Sequence, residues 1–197
     1  MSPIVVKLGG SLYDSPELTT WLTKLAEYAQ KQAVIIVPGG GPFADGIRAA
    51  QALHGFSDKI AHHMALLAMK QFGLLLIGLA SNCQAFTISP PTQAALSVWL
   101  PDDSLLLDSS IEQSWDISSD SLALWLTQRI SAQQLLLIKR SQTSEYSIGQ
   151  LTKSGILDQG FSKLFSKNPV TAKVIHYKNH SQLDSYSSDL QQSLSLP

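Results

Sequence analysis

IVVKLGGS, residues 4–11, decides the fold. Ile4, Val5, Val6 and Leu8 make an apolar run with one interruption, Lys7, and the run stops at Gly9-Gly10-Ser11. A short, nearly continuous apolar stretch ending in glycine fits a strand of a parallel sheet buried on both faces. A lysine inside such a strand is costly to bury unless its ammonium meets an anion or an open crevice. On an edge strand it would instead snorkel to water.

Working outward, Pro16 suits a first helical position and Asp14 or Ser15 a cap, while Leu18, Trp21, Leu22, Leu25, Ala26 and Ala29 share one helical face. Ala33–Val37 repeats the buried-strand pattern and ends in Pro38-Gly39-Gly40-Gly41, after which FADGIRAAQALHG (43–55) takes helical spacing. Ser57 and Asp58 open a long alanine- and leucine-rich helix running toward Ala80. Short apolar segments recur at 83–89, 96–101, 134–139 and 172–178, and WDISSDSLALWLTQRIS (115–131) places Leu122, Leu126 and Ile130 on one helical face. Leu183, Leu190 and Leu194 suit a docked terminal helix. The alternation predicts an α/β protein, a three-layer sandwich around a largely parallel central sheet, with residues 1–197 as one domain.

Composition bounds the function. The 197 residues are 44% hydrophobic and 15% charged with a net charge of -1, which excludes disorder as the main state and gives no basic excess for nucleic acid or an acidic membrane. A single cysteine, Cys83, allows no internal disulfide and reads as a small buried hydrophobe. The start MSPIVVKLGGS has no long apolar core of a signal peptide. Phe72–Ala80, the longest apolar run, falls short of the roughly 18 residues of a membrane span. A cytoplasmic protein is expected.

Two strand ends carry glycine clusters, Gly9-Gly10-Ser11 and Gly39-Gly40-Gly41. Each is either a tight turn or an anion cradle, because glycine lets backbone N–H groups approach an oxyanion and a following helix start adds partial positive charge. Two such loops, each closing a strand at the end where α/β proteins bind ligands, favour phosphate or carboxylate binding, and Lys7 adds the cation. No stretch has the Walker spacing. Gly39-x-Gly41-x-x-Ala44, with Asp58 further on, matches a dinucleotide fingerprint, but it follows the second strand and Asp58 opens a helix, leaving a dehydrogenase as runner-up.

KLGGS, VPGGGPFADGIR and WDISSDSLA followed by QLLLIKR, taken in order, resemble the three recurring stations of the amino acid kinase superfamily. Within it they are most similar to the small phosphate-monoester kinases of methanofuran synthesis. The resemblance implies transfer of the ATP γ-phosphoryl group to a small phosphate monoester, an aminomethylfuran-methyl phosphate, with Mg²⁺ and no covalent enzyme intermediate. It implies Lys7, Asp120 and Lys139 as catalytic residues, with Gly9, Gly10, Ser11 and Lys139 on ATP. Gly39, Gly40, Gly41, Arg48, His62 and Asp116 fall on the acceptor side, and the resemblance also implies a homo-oligomer. On the residues alone, Asp120 also suits a helix cap, Arg48 equally a solvent-facing position, and Asp116 either the face of Asp120 or the preceding loop. Adjacent His62 and His63 diverge by about 100° on a helix, so no protein metal site is expected. Where many relatives carry an acidic, glycine-containing segment, this chain reads KRSQTSEYS (139–147). Two other readings are a non-catalytic nucleotide or oxyanion binder on the same fold and a carboxylate kinase forming an acyl phosphate.

Overall fold

Six strands, β1 (Ile4–Leu8), β2 (Val34–Pro38), β3 (Gln84–Phe86), β4 (Leu96–Trp99), β5 (Gln134–Lys139) and β6 (Ala172–His176), form one sheet in the order β3-β4-β2-β1-β5-β6. Every pairing is parallel. The computed structural model describes residues 2–88, 94–142, 147–188 and 193–196. All of β1, β2 and β4 is buried, which is why these segments read as continuous apolar runs. The first strand of the chain lies in the middle, with β2 on one side and β5 on the other, so the winding reverses around β1. A crevice opens beyond the carboxyl ends of strands at such a switch point.

The helices are α1 (Glu17–Tyr28), α2 (Gly41–His54), α3 (Asp58–Leu79), α4 (Ser119–Arg129), α5 (Ile148–Lys153), α6 (Gln159–Lys167) and α7 (Leu183–Ser188). Strand periodicity sorts them into layers. Ile4, Val6, Leu8, Val34, Ile36, Leu136 and Ile138 face α1 and the second half of α3, meeting Trp21, Leu22, Leu25, Phe72 and Leu76. Val5, Ile35, Val37, Leu135 and Leu137 face the other way, toward Leu122 and Leu126 of α4 and Phe161 and Phe165 of α6. The result is the expected three-layer sandwich, with a sheet that is parallel throughout its described strands.

Several elements depart from the sequence reading. α4 is buried on every side from Asp120 to Thr127, because α6 also packs against it; Leu122, Leu126 and Ile130 mark only part of its buried surface. The short helices α5 and α6 have no counterpart among the expected elements. Over its 22 residues α3 contains an 18-residue window of mean hydropathy 1.4, enough by length and composition to cross a membrane, so the shorter run Phe72–Ala80 understated it. In the fold its Leu66, Met69, Phe72 and Leu76 are buried in the core. Cys83 is half-buried rather than buried, and burial pushes its thiol up to about 11, which leaves it inert. Leu183 and Leu194 are both buried, Leu194 beside β6 with its N–H donating to the Ala172 carbonyl at 2.7 Å, outside any helix. Leu190 lies outside the described residues.

Candidate active site

Sheet periodicity brings two lysines to one point. Val5 and Lys7 share a face of β1, Leu135, Leu137 and Lys139 share the matching face of β5, and Lys7 pairs in register with Leu137. Both ammonium groups therefore lie under the N-terminus of α4, where Asp120 stands in the first turn. Lys7 is 5% and Asp120 3% exposed. Lys7 Nζ lies 2.8 Å from Asp120 Oδ1, and Lys139 Nζ donates to Oδ2.

Burial alone would raise the Asp120 carboxyl, but the Lys7 and Lys139 ammonium groups outweigh it and hold the group below the usual carboxylate range. Lys139 moves the other way from an ordinary lysine: burial and then the Lys7 charge lower its ammonium, against the pull of Asp120. One carboxylate thus serves two cations that would otherwise repel.

Asp158, which the sequence reading missed, fixes this corner. It caps α6, and its Oδ2 accepts from Ser118 N at 2.9 Å, Ser118 Oγ at 2.6 Å and Ser121 N at 3.0 Å, while Oδ1 accepts from Phe161 N at 3.0 Å and from Ser121 Oγ. Burial, then the neighbouring Asp120 charge, raises the Asp158 carboxyl. The serines on either side of Asp120 are therefore tied to α6. The available signal was the aspartate directly before the amphipathic run QGFSKLF.

The two glycine turns touch backbone to backbone. A Cβ on Gly10 would lie 2.2 Å from Gly41 N, and one on Gly39 would lie 2.2 Å from Gly10 N. Gly41 itself has φ +55°, which favours glycine. Close packing of the turns is thus a second reason for the glycines, beside anion approach. Gly10→Ala or Gly39→Ala is expected to cost about 1–3 kcal/mol, since the obstacle is backbone that cannot rotate away. Chemical denaturation checks this, with Gly46→Ala, where a Cβ meets nothing within 4 Å on a helix, expected to stabilise by about 0.5–1 kcal/mol.

Beside the turns lies a cavity of about 610 Å³ lined by Gly10, Ser11, Gly40, Gly41, Arg48 and His62, together with Tyr13, Asp14, Asp45, Trp115, Ser118, Ser119 and Arg140 among others. Gly9 adjoins the lysine cluster, its Cβ position 3.5 Å from Lys7 Nζ. Arg48 stacks on Trp115, its guanidinium carbon 3.7 Å from the ring centroid. Trp115 Nε1 donates to Gln51 Oε1 at 2.6 Å, and Gln51 Nε2 donates to Asp58 Oδ1 at 2.7 Å, so Asp58 props the arginine's platform from the start of α3.

His62 is 4% exposed and His63 faces out to Asp103 at 3.2 Å. Burial lowers the His62 pKa below the ordinary 6.5, so the ring is neutral at pH 7. Its Nδ1 lies 3.3 Å from the Ser114 carbonyl, which can only accept, so Nδ1 carries the proton and Nε2 is an acceptor. That Nε2 is buried with no hydrogen-bond partner among the described residues.

The structure thus brings together Lys7, Asp120, Lys139, Gly9, Gly10, Ser11, Gly39, Gly40 and Gly41, with Arg48 and His62 on the cavity wall. It does not bring Asp116 there: α4 begins at Ser119, so Asp116 is an exposed loop residue whose carbonyl accepts from Gly160 N at 2.8 Å. Among the described residues no group of three or more His, Cys, Asp or Glu could hold a metal ion.

Paired glycine turns and a buried lysine–carboxylate–lysine cluster at the switch point of a parallel sheet, beside a cavity that Arg48 and Arg140 line, define a doubly wound α/β protein with a ligand crevice. The sequence model of the amino acid kinase family matches residues 2–98 of the chain. The [5-(aminomethyl)furan-3-yl]methyl phosphate kinase of Methanocaldococcus jannaschii is 30% identical over 138 residues, which are 68% of this chain and 63% of that protein. The match therefore spans less than two thirds of the relative. Uridylate kinase from Archaeoglobus fulgidus superposes with TM-score 0.68 at 19% identity, over 94% of this chain and 96% of the other. UMP kinase from Ureaplasma parvum gives TM-score 0.64 at 12% identity over 98% and 97%. At these identities the likeness is one of fold.

Proposed function

We propose that this protein is an ATP-dependent kinase that phosphorylates a small phosphate monoester bearing a hydrogen-bond donor such as an amine, of the aminomethylfuran-methyl phosphate class. The observation that carries the reading is the buried Lys7–Asp120–Lys139 cluster beside two abutting glycine turns. The activity named for the Methanocaldococcus jannaschii relative supports the acceptor class.

In the reaction an oxygen of the acceptor phosphate attacks the γ-phosphorus, the bond to the β-γ bridging oxygen breaks, and ADP leaves with that electron pair. Little covalent help from protein is needed; positioning and charge neutralisation dominate. Lys7, beside Gly9, stabilises charge on the transferring group, with Gly9, Gly10, Ser11 and Lys139 on the nucleotide phosphates. Asp120 aims both ammonium groups. Mg²⁺ favours phosphate oxygens, water and few carboxylates, so it would arrive on ATP and neutralise its phosphates. On the acceptor side Arg48, held flat by Trp115, suits the phosphate. His62 Nε2, an acceptor in need of a donor, suits the substrate's N–H rather than its phosphate.

The test is ADP release with Mg²⁺, ATP and aminomethylfuran-methyl phosphate. ATP binding without turnover on any phosphate monoester would instead support a non-catalytic binder, and a product trapped by hydroxylamine would support acyl phosphate formation. A pH prediction follows from Lys139. Its ammonium is active when protonated and its pKa is lowered, so activity is expected to fall with rising pH earlier than an ordinary lysine near 10.5 would allow. A pH profile of kcat/KM that stays flat through that range would contradict the assignment.

The homo-oligomer belongs to the same proposal. Ile60, Leu67 and Leu74 recur every seven residues along α3 and are about half exposed, a strip suited to a second copy. Leu67→Glu is expected to lower the mass measured by light scattering to that of a 21.4 kDa monomer.

A further inference from the structure

Arg140 directly follows Lys139 at the carboxyl end of β5, and its side chain lines the cavity together with Asp14. Its Nη2 donates to Asp14 Oδ1 at 2.9 Å, with the two side chains 44% and 75% exposed. The guanidinium also lies 5.8 Å from the centroid of Tyr177. Tyr177 is anchored, its N–H donating to the Lys139 carbonyl at 2.8 Å and its own carbonyl accepting from Trp21 Nε1 at 2.7 Å. An ion pair this exposed is weak and screened by salt. It holds the arginine at the cavity without committing it, whereas a polyanion offers a guanidinium a charge-assisted, two-pronged partner.

Position in the sheet says which anion. Arg48 stands on the β2 side of β1, Arg140 on the β5 side, and Lys7 lies between them on β1 itself. One cavity thus carries two guanidinium groups, one on each side of the central strand, with the Lys7 ammonium buried next to it beside Gly9, a layout suited to two phosphate-bearing ligands that meet at β1. Arg48 is pinned by a ring and its hydrogen-bonded support, while Arg140 is held by a carboxylate it can exchange.

We propose that Arg140 binds the terminal phosphates of the nucleotide, and that Asp14 is a restraint from which Arg140 is released when those phosphates arrive. This rests on the kinase reading above. It adds a phosphate-binding residue and a ligand-displaced contact that lie outside the Lys7–Asp120–Lys139 cluster. Asp14 also sets a small penalty on binding, because the pair must open first.

Calorimetric titration with Mg²⁺ and the non-hydrolysable analogue AMP-PNP tests it without requiring turnover. Arg140→Ala is expected to weaken binding about 10- to 100-fold, the range of a lost charge-assisted contact. Arg140→Lys recovers part of this, since a point charge lacks the fork. Asp14→Asn acts in the opposite direction, tightening binding by up to about fivefold. A simple tether between the β1 and β5 loops predicts that Arg140→Ala and Asp14→Asn behave alike. Equal affinity in Arg140→Ala and wild type, or weakened binding in Asp14→Asn, overturns the proposal while leaving the kinase reading intact. No binding of the analogue by the wild-type chain overturns both.

Discussion

Asp120→Ala is expected to destabilise the protein by about 3–5 kcal/mol and to remove phosphotransfer below detection. Its carboxylate is the shared counter-ion of Lys7 and Lys139, both drawn out of water by the sheet and α4. Removing it leaves two like charges in a site too dry to screen them, so the loss far exceeds what the ion pairs contribute over an apolar packing. The triple replacement Lys7→Met, Asp120→Leu, Lys139→Met should accordingly recover most of the stability while remaining inactive. Urea unfolding of the wild type, single and triple variants separates the two effects; a single variant as stable as wild type would show that the lysines find other partners. The pH dependence carries the same signature. Asp120 titrates below the ordinary 3.8, so its contribution is complete above that value and is lost as pH falls through the lowered folded pKa. Asp120→Ala should therefore lose part of the wild type's acid sensitivity.

How much of this was legible beforehand depends on range. IVVKL, VIIVP and QLLLIK are buried on both sides, so burial wrote itself into continuous apolar runs. Lys7 stood out because it breaks one of them. The convergence of Lys7, Asp120 and Lys139 has no local signal: it depends on β1–β5 register and on where α4 begins, and only a family resemblance joined those positions. Asp116 stayed open between helix face and loop for the same reason, since the four-residue spacing matters only if the helix already includes it. The glycines were read for ligand approach, and the contact of one turn with the other is a tertiary fact no single turn reveals. Arg140, Asp14 and Trp115 lie on loops, where no periodicity marks direction. Asp158 is a cap in sequence terms, and its grip on Ser118 and Ser121 follows only from α6 lying over α4.

Lys7→Ala is expected to lower kcat by at least about a hundredfold with a much smaller change in KM for either substrate. The split follows from position. Lys7 lies on the central strand beside Gly9, between the β2 and β5 flanks, so on the kinase reading its ammonium meets charge that develops during transfer more than charge present in either bound ligand. Stability should fall less than in Asp120→Ala, because Asp120 keeps its contact with Lys139 and no buried charge is left alone. Loss of Lys7 also removes a cation that lowers Lys139, so the alkaline limb of the residual activity should move to higher pH. Lys7→Arg should not restore the rate: the planar guanidinium is larger than the ammonium it replaces, and at 5% exposure the strand leaves it little room to turn. Wild-type turnover in Lys7→Ala would mean that the transferring phosphoryl group passes elsewhere in the cavity. A rise in KM at unchanged kcat would make Lys7 a ground-state binding group, and would move the catalytic burden to Lys139 and the turn amides.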